Sequence, residues 1–133
     1  MNRKEILTLI LVLFAFSSFA NINKPHAQIL YAGMVTTSTS VSCNNFEDYL
    51  GESIEKKQFS IRVTKLLYYK VVQNLSPKKR YKGKDIDVRT KIIFSNINDK
   101  SFIVCLDNFY IQINEKTYVI DKNLRDYIRK LTK

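Results

Sequence analysis

Apolar and polar residues alternate most cleanly over DIDVRTKIIFS, 85–95. Ile86, Val88, Thr90, Ile92 and Phe94 fall on one side, and Asp87, Arg89 and Lys91 on the other. A period of two marks a strand with one buried face. SFIVCL, 101–106, is apolar on both faces and reads as a short interior strand, reached through the turn residues NIND, 96–99. FYIQIN, 109–114, alternates again, with Phe109, Ile111 and Ile113 on one side; NEKT then makes a turn and TYVI a last short strand. Near the start, ILYAGMVTTSTSVS is rich in β-branched residues and holds one strand, with Gly33 as its weak point, while NINKPHAQ reads as a loose terminus.

FSIRVTKLLYYKVVQN, 59–74, begins as a strand, since Phe59, Ile61 and Val63 alternate with Ser60, Arg62 and Thr64. Past Lys65 the apolar residues fall on both faces, as in a central or bulged strand. A helix over 63–73 is the competing reading, disfavoured by the β-branched and aromatic content. Two segments have helical spacing. In 45–57, Phe46, Leu50 and Ile54 recur every four residues, with Glu47 and Asp48 at the start and Lys56 and Lys57 at the end, although Gly51 weakens the helix. In 122–132, Leu124, Tyr127, Ile128 and Leu131 make one apolar face, and Asp121 or Asn123 caps it. The order is helix, about five strands, helix. Short turns imply antiparallel pairing, so the pattern predicts a β-rich α+β fold built on an antiparallel sheet.

IIFSNINDKSFIVCLDNFYIQINEKTY, 92–118, carries a further pattern through Phe94, Asn96, Lys100, Asp107, Phe109, Ile111 and Tyr118. It resembles a segment of the immunoglobulin-like sandwich domains of small exported bacterial proteins. The resemblance implies an incomplete sandwich of about five strands, because the chain turns to a helix after Tyr118. A helix followed by a meander is also similar to cystatin-like folds, the alternative architecture. Neither resemblance carries over a functional residue.

The N-terminus changes where the protein is expected to act. Arg3 and Lys4 precede an uncharged apolar run, Ile6–Ala20, too short for the ~20 residues that cross a bilayer as a helix. Ser18 and Ala20 provide small residues for cleavage after Ala20, and a second possible cut follows Ala27. Residues 1–20 read as a signal peptide and 21–133 as one exported domain, periplasmic or extracellular, without a transmembrane span. An uncleaved anchor is the other reading. The domain has two cysteines, Cys43 and Cys105, which in an oxidising compartment form a disulfide or else remain buried thiols.

Candidate catalytic chemistry is sparse. The one histidine, His26, lies beside the expected cleavage sites in the loose terminus, which removes most histidine-based schemes. Asp48, Glu52 and Glu55 share one face of the first helix, and Asp85 and Asp87 one face of a strand. Solvated helix acids and lysine partners explain them better than an acid pair or a calcium site. The reading is a non-enzymatic protein with no cofactor or metal.

Charge is more informative. Residues 21–55 carry net −3, residues 56–91 net +10 and residues 92–133 net +2. If 59–74 and 85–95 pair as a hairpin, Arg62, Lys70, Arg89 and Lys91 share an exposed face. PKKRYKGK, 77–84, is then its tip, with Lys78, Lys79, Arg80, Lys82 and Lys84 around Tyr81, which is placed to stack on a base or sugar. Such a surface attracts anions over a Debye length of ~10 Å at 0.1 M salt. The expected function is a binding or accessory protein with a cationic hairpin surface, 56–91, for an anionic envelope component or an acidic protein. Cytoplasmic nucleic acid is not its expected partner. A solvated turn is the plainer reading of the tip. The alternative function is an inhibitor or immunity-type protein that binds an enzyme in the same compartment.

Overall fold

The alternating residues expected on one side of 85–95 divide between two faces: Ile92 and Phe94 pack on one face of the sheet, and Ile86 and Val88 pack with the cluster on the other. The computed structural model describes residues 2–6, 24–33, 37, 39–83 and 86–133. Apart from residues 2–6, the expected signal peptide lies outside the described residues. The elements are β1 (His26–Ala32), α1 (Phe46–Leu50), a 3-10 turn (Gly51–Ser53), β2 (Ile54–Phe59), α2 (Ile61–Asn74), a second 3-10 turn (Pro77–Lys79) and β3 (Arg80–Tyr81). They continue with β4 (Thr90–Ile97), β5 (Lys100–Leu106), β6 (Tyr110–Ile113), β7 (Lys116–Val119) and α3 (Lys122–Leu131). Seven strands form one open antiparallel sheet in the order β2-β1-β4-β5-β6-β7-β3, a β-rich α+β fold.

β4 to β7 form a meander. Asn98-Asp99 and Asn114-Glu115 make its two-residue turns, with φ of 51°, 61°, 50° and 64°. Left-handed φ at both central residues is the type I′ signature, whose twist matches the strands it joins. β1 lies between β2 and β4, so its side chains meet neighbours on both edges. Ala27 stands opposite Phe59 and Phe94, and Ile29 opposite Lys57 and Ile92.

Four sequence expectations are corrected. Residues 59–74 form a helix rather than a long strand. Thr64, Leu67, Val71 and Asn74 are buried at intervals of three and four, which is helical spacing. Packing of that face outweighs the β-branched content of the segment. The helix expected over 45–57 ends at Leu50, where Gly51 takes φ of 45°, and 54–59 becomes an edge strand. The terminus expected to be loose supplies His26, Ala27 and Gln28 to β1, and Ala27 is fully buried. A cut after Ala27 would therefore divide an interior strand. The assigned strand begins at Thr90; Arg89 still bonds to Leu106 and Ala32 on the two neighbouring strands, and Val88 bends away, its N–H donating to the Val41 carbonyl at 2.8 Å.

The sheet is covered on both faces. On one, α2 and α3 lay Leu67, Val71, Leu124 and Ile128 over Ala27, Ile29, Ile92, Phe94, Val104 and Ile111. Tyr68 of α2 meets Phe94 and Phe102 edge-on at 5.9 and 5.6 Å between ring centroids. On the other face, Val41, Phe46, Leu50, Ile86 and Val88 cover Leu30, Ala32 and Cys105. This second cover is mostly irregular chain, and the Cys43–Cys105 disulfide, with Cα atoms 5.8 Å apart, ties it to β5.

The bridge closes a loop spanning 62 positions. In the chain-entropy account such a crosslink contributes about 4 kcal/mol. Reduction, or Cys43→Ser with Cys105→Ser, is expected to lower Tm by roughly 15 °C or more. Unfolding followed by circular dichroism with and without reductant measures this; an unchanged Tm would refute it.

Candidate functional site

α2 sets the geometry of the candidate surface. Its buried residues turn Arg62, Lys65, Leu66, Tyr69, Val72 and Gln73 away from the sheet. The chain then stops helix formation at Leu75 and Ser76 ahead of Pro77, whose fixed φ suits the first position of the following 3-10 turn. That turn delivers Arg80 and Tyr81 to the sheet edge beside β7.

Asn74 locks this segment to α3. It is fully buried; its Nδ2 donates to the Val119 carbonyl at 3.0 Å, and its Oδ1 accepts the Asp121 N–H at 2.5 Å. One side chain thus joins the end of α2 to the end of β7 and the start of α3. Other contacts add to it. The Lys79 ammonium meets the Asp121 carboxylate at 2.5 Å, and the Lys70 ammonium lies 5.2 Å from the centre of the Tyr127 ring. At the far end of α3, the Lys57 ammonium donates to the carbonyls of Leu131 and Lys133 at 3.3 and 2.6 Å. A cation there complements the helix dipole.

The two helices therefore form one layer over one face of the sheet. Residues 60–83 contain seven Lys or Arg and no acid; residues 120–133 contain five Lys or Arg and two acids. Together they carry +10, the formal net charge of the entire chain. Among the described residues Arg62, Lys65, Lys78, Arg80 and Lys82 form no ion pair. The layer is a concentrated field of cations with few local counter-charges.

The hairpin expected to gather the cations does not form, because 59–74 is a helix and β4 pairs with β1 and β5 instead. Arg62 and Lys70 belong to the helix layer, and Lys78, Lys79, Arg80 and Lys82 follow it in the chain. Lys84 lies outside the described residues. Arg89 and Lys91 do not join the helix layer; Arg89 is half-buried and Lys91 buried. Arg89 pairs with Asp87 at 2.9 Å and donates to Thr37 Oγ1 at 3.0 Å. Lys91 is buried on the opposite face, where it meets Glu47 at 2.8 Å and the Cys43 carbonyl at 3.3 Å. Its place opposite Cys105 in the β4–β5 register puts it on the disulfide side. Tyr81 stacks on Tyr110, with centroids 4.4 Å apart, so one of its faces is already occupied. A Cβ at Gly83 would overlap the Tyr81 ring, which explains why glycine follows the basic run.

The acids also separate. Asp48 stays in α1, Glu52 lies in the 3-10 turn, and Glu55 in β2 accepts the Tyr31 hydroxyl at 2.5 Å. They share no helix face. Asp85 lies outside the described residues, and Asp87, off the ladder, accepts the Val41 N–H at 2.7 Å. His26 is half-buried in β1, its Nδ1 3.0 Å from the Lys24 carbonyl oxygen. The sequence reading missed the outward apolar residues Leu66, Tyr69 and Val72. Their spacing of three was the available signal, hidden by the strand assignment.

An open cleft of about 660 Å³ lies on the disulfide face, bordered by Cys43, Ile86, Lys91, Ile93, Ile103 and Gln112. Its buried charge, Lys91, is already neutralised by Glu47. Partial burial pushes the Glu47 carboxyl up. Its hydrogen bonds with Lys91 and with its own backbone, and the charges of Lys91 and Lys56, outweigh that and hold it below the usual glutamate value.

Asn74→Ala leaves the Asp121 N–H and the Val119 carbonyl without a side-chain partner and is expected to cost about 2–3 kcal/mol in urea unfolding. A loss below about 0.5 kcal/mol would show that the clamp is dispensable. Glu47, with its lowered folded pKa, stabilises the fold above its unfolded pKa of about 4.3, and this contribution disappears as pH falls through the folded value. Glu47→Gln should therefore be less stable than the parent near neutral pH, and the gap should close below about pH 4. A gap constant with pH would exclude the ion pair as its source.

No protein-family model, curated protein or solved structure matches this chain.

Proposed function

We propose that this protein is an exported, non-enzymatic binding or accessory module for an anionic partner, and that the α2–α3 layer is its binding surface. The observation that carries the reading is the charge on that layer together with the edge segment that follows α2: residues 60–83 and 120–133 hold a net charge equal to that of the whole chain. The cations stand on elements fixed from beneath by Asn74 and by the aromatic cluster of Tyr68, Phe94 and Phe102. A rigid array of like charge loses little freedom on meeting an anion and speeds encounter over a Debye length. Export is supported by the apolar run Ile6–Ala20 behind Arg3 and Lys4, and by the disulfide, which suits an oxidising compartment.

Titration with a soluble polyanion such as heparin at 50 and 300 mM salt tests the surface. Arg62→Glu with Lys65→Glu, and separately Lys78→Glu with Arg80→Glu, are each expected to weaken binding at least tenfold at low salt. Lys100→Glu, in the β4–β5 hairpin, should change it less than twofold. Equal losses from all three variants would mean that net charge acts without a site, and no loss from the first two would remove the helix layer from the function. A pull-down that instead yields a 1:1 protein complex stable at 300 mM salt would favour the inhibitor-type alternative.

A further inference from the structure

The geometry points to a specific kind of anionic partner. We propose that the helix layer docks on an anionic phospholipid bilayer, with α2 lying along the membrane plane and Leu66, Tyr69 and Val72 entering the boundary between headgroups and acyl chains. This rests on the anion-binding reading above and narrows it.

A soluble polyanion is attracted by cations alone and gains little from exposed apolar side chains. α2 presents both. Leu66, Tyr69 and Val72 are 46, 59 and 47% exposed. At 3.6 residues per turn they occupy about a third of the helix circumference, and Arg62 and Lys65 project from the same sector. The chain therefore interleaves apolar groups and cations on one outward face, in a helix with no acid to repel a phosphate. Such a face fits a bilayer boundary. Apolar groups leave water below the headgroups, while Lys and Arg stems reach back to the phosphates.

α3 completes the orientation. Its outward residues include Lys122, Arg129 and Lys130, and none of its large apolar side chains is exposed. It is suited to rest among headgroups while α2 enters more deeply. Each cation near an anionic surface contributes about 1 kcal/mol, or roughly fivefold in affinity.

The other occupants fit less well. A second copy of the chain would bring two cationic layers together, and three half-exposed side chains supply far less than the ~800 Å² per partner of a stable interface. Elsewhere Ile103, Val119, Phe109 and Tyr81 are also exposed, but β6 separates the strands of Ile103 and Val119, the register neighbours of these two are Ile93 and Tyr110, and Phe109 and Tyr81 are rings packed against Tyr110 rather than residues of a helix face. They make no comparable stripe.

The chain contains no tryptophan, so Tyr69→Trp places a single reporter at the centre of the stripe. Its emission and its co-sedimentation are measured with vesicles of phosphatidylcholine alone, with vesicles containing phosphatidylglycerol, and with heparin. The proposal expects binding with a blue shift on phosphatidylglycerol vesicles, binding to heparin without a blue shift, and no binding to phosphatidylcholine alone. It also expects Leu66→Asn with Val72→Asn to weaken vesicle binding about tenfold or more while leaving heparin binding within twofold. Circular dichroism confirms that each variant is folded. Vesicle binding without a blue shift, or insensitive to the apolar substitutions, overturns the docking mode. Heparin binding without vesicle binding overturns the lipid partner and leaves the anion-binding reading standing. Failure to bind either overturns both.

Discussion

β1, β4 and β5 send apolar side chains to both faces of the sheet, so each face requires a cover, and the two covers are unlike. One is a pair of helices long enough to bury a continuous stripe. The other is a short helix and irregular chain that by themselves shield little. Burial of apolar area drives both. The difference lies in what holds each cover in place. Asn74 satisfies two backbone groups at the point where α2, β7 and α3 meet, and a buried amide that makes both bonds fixes one arrangement of those elements. The irregular cover is fixed covalently, through Cys43 and Cys105, and by the buried Lys91 reaching Glu47 and the Cys43 carbonyl.

This division also sorts the charge. On the disulfide side Lys91 is drawn into a local partnership with Glu47 and the Cys43 carbonyl. The helix side has its apolar residues turned inward toward the sheet and its cations turned outward, with Asp121 and Asp126 as the only acids in its two main stretches. The proposed membrane docking follows from one departure from that pattern, the three apolar side chains on the outer face of α2. Neither the charge nor the apolar stripe alone would point to a bilayer; the proposal rests on their interleaving on one helix face.

Much of the sheet was legible in the sequence. Two-residue alternation located the strands of the meander, Asn-led turns located its hairpins, and the spacing of Leu124, Tyr127, Ile128 and Leu131 located α3. The cysteine pair was legible from count alone once a compartment was inferred. Residues 59–74 were not, because alternation over Phe59–Val63 continues the β2 edge for one step and then gives way to a helix whose buried positions include Thr64 and Asn74. Polar residues at core positions conceal a helical stripe. The same error moved the candidate site, since Arg62 and Lys70 were set on a hairpin face with Arg89 and Lys91. Cations near in sequence proved to lie on opposite sides of the sheet, and only the pairing of β4 with β1, which spans the whole intervening helix, reveals it.

That pairing has a consequence for how the molecule comes together. Ile29 lies opposite Ile92, and Cys43 is joined to Cys105, so strand insertion and the crosslink enclose stretches of nearly equal length displaced by about a dozen residues. Closing either loop brings the ends of the other within reach, and the entropy of closing a long loop is lost largely once. Oxidation before β1 has found its slot would preorganise the sheet's central seam, whereas β1 already in place would hold the thiols in position to react. Among the described residues the first strand, β1, is an interior one, and it stays incomplete until β4, some sixty residues later, exists beside it. A newly made chain thus has no finished sheet to present until most of its length is available.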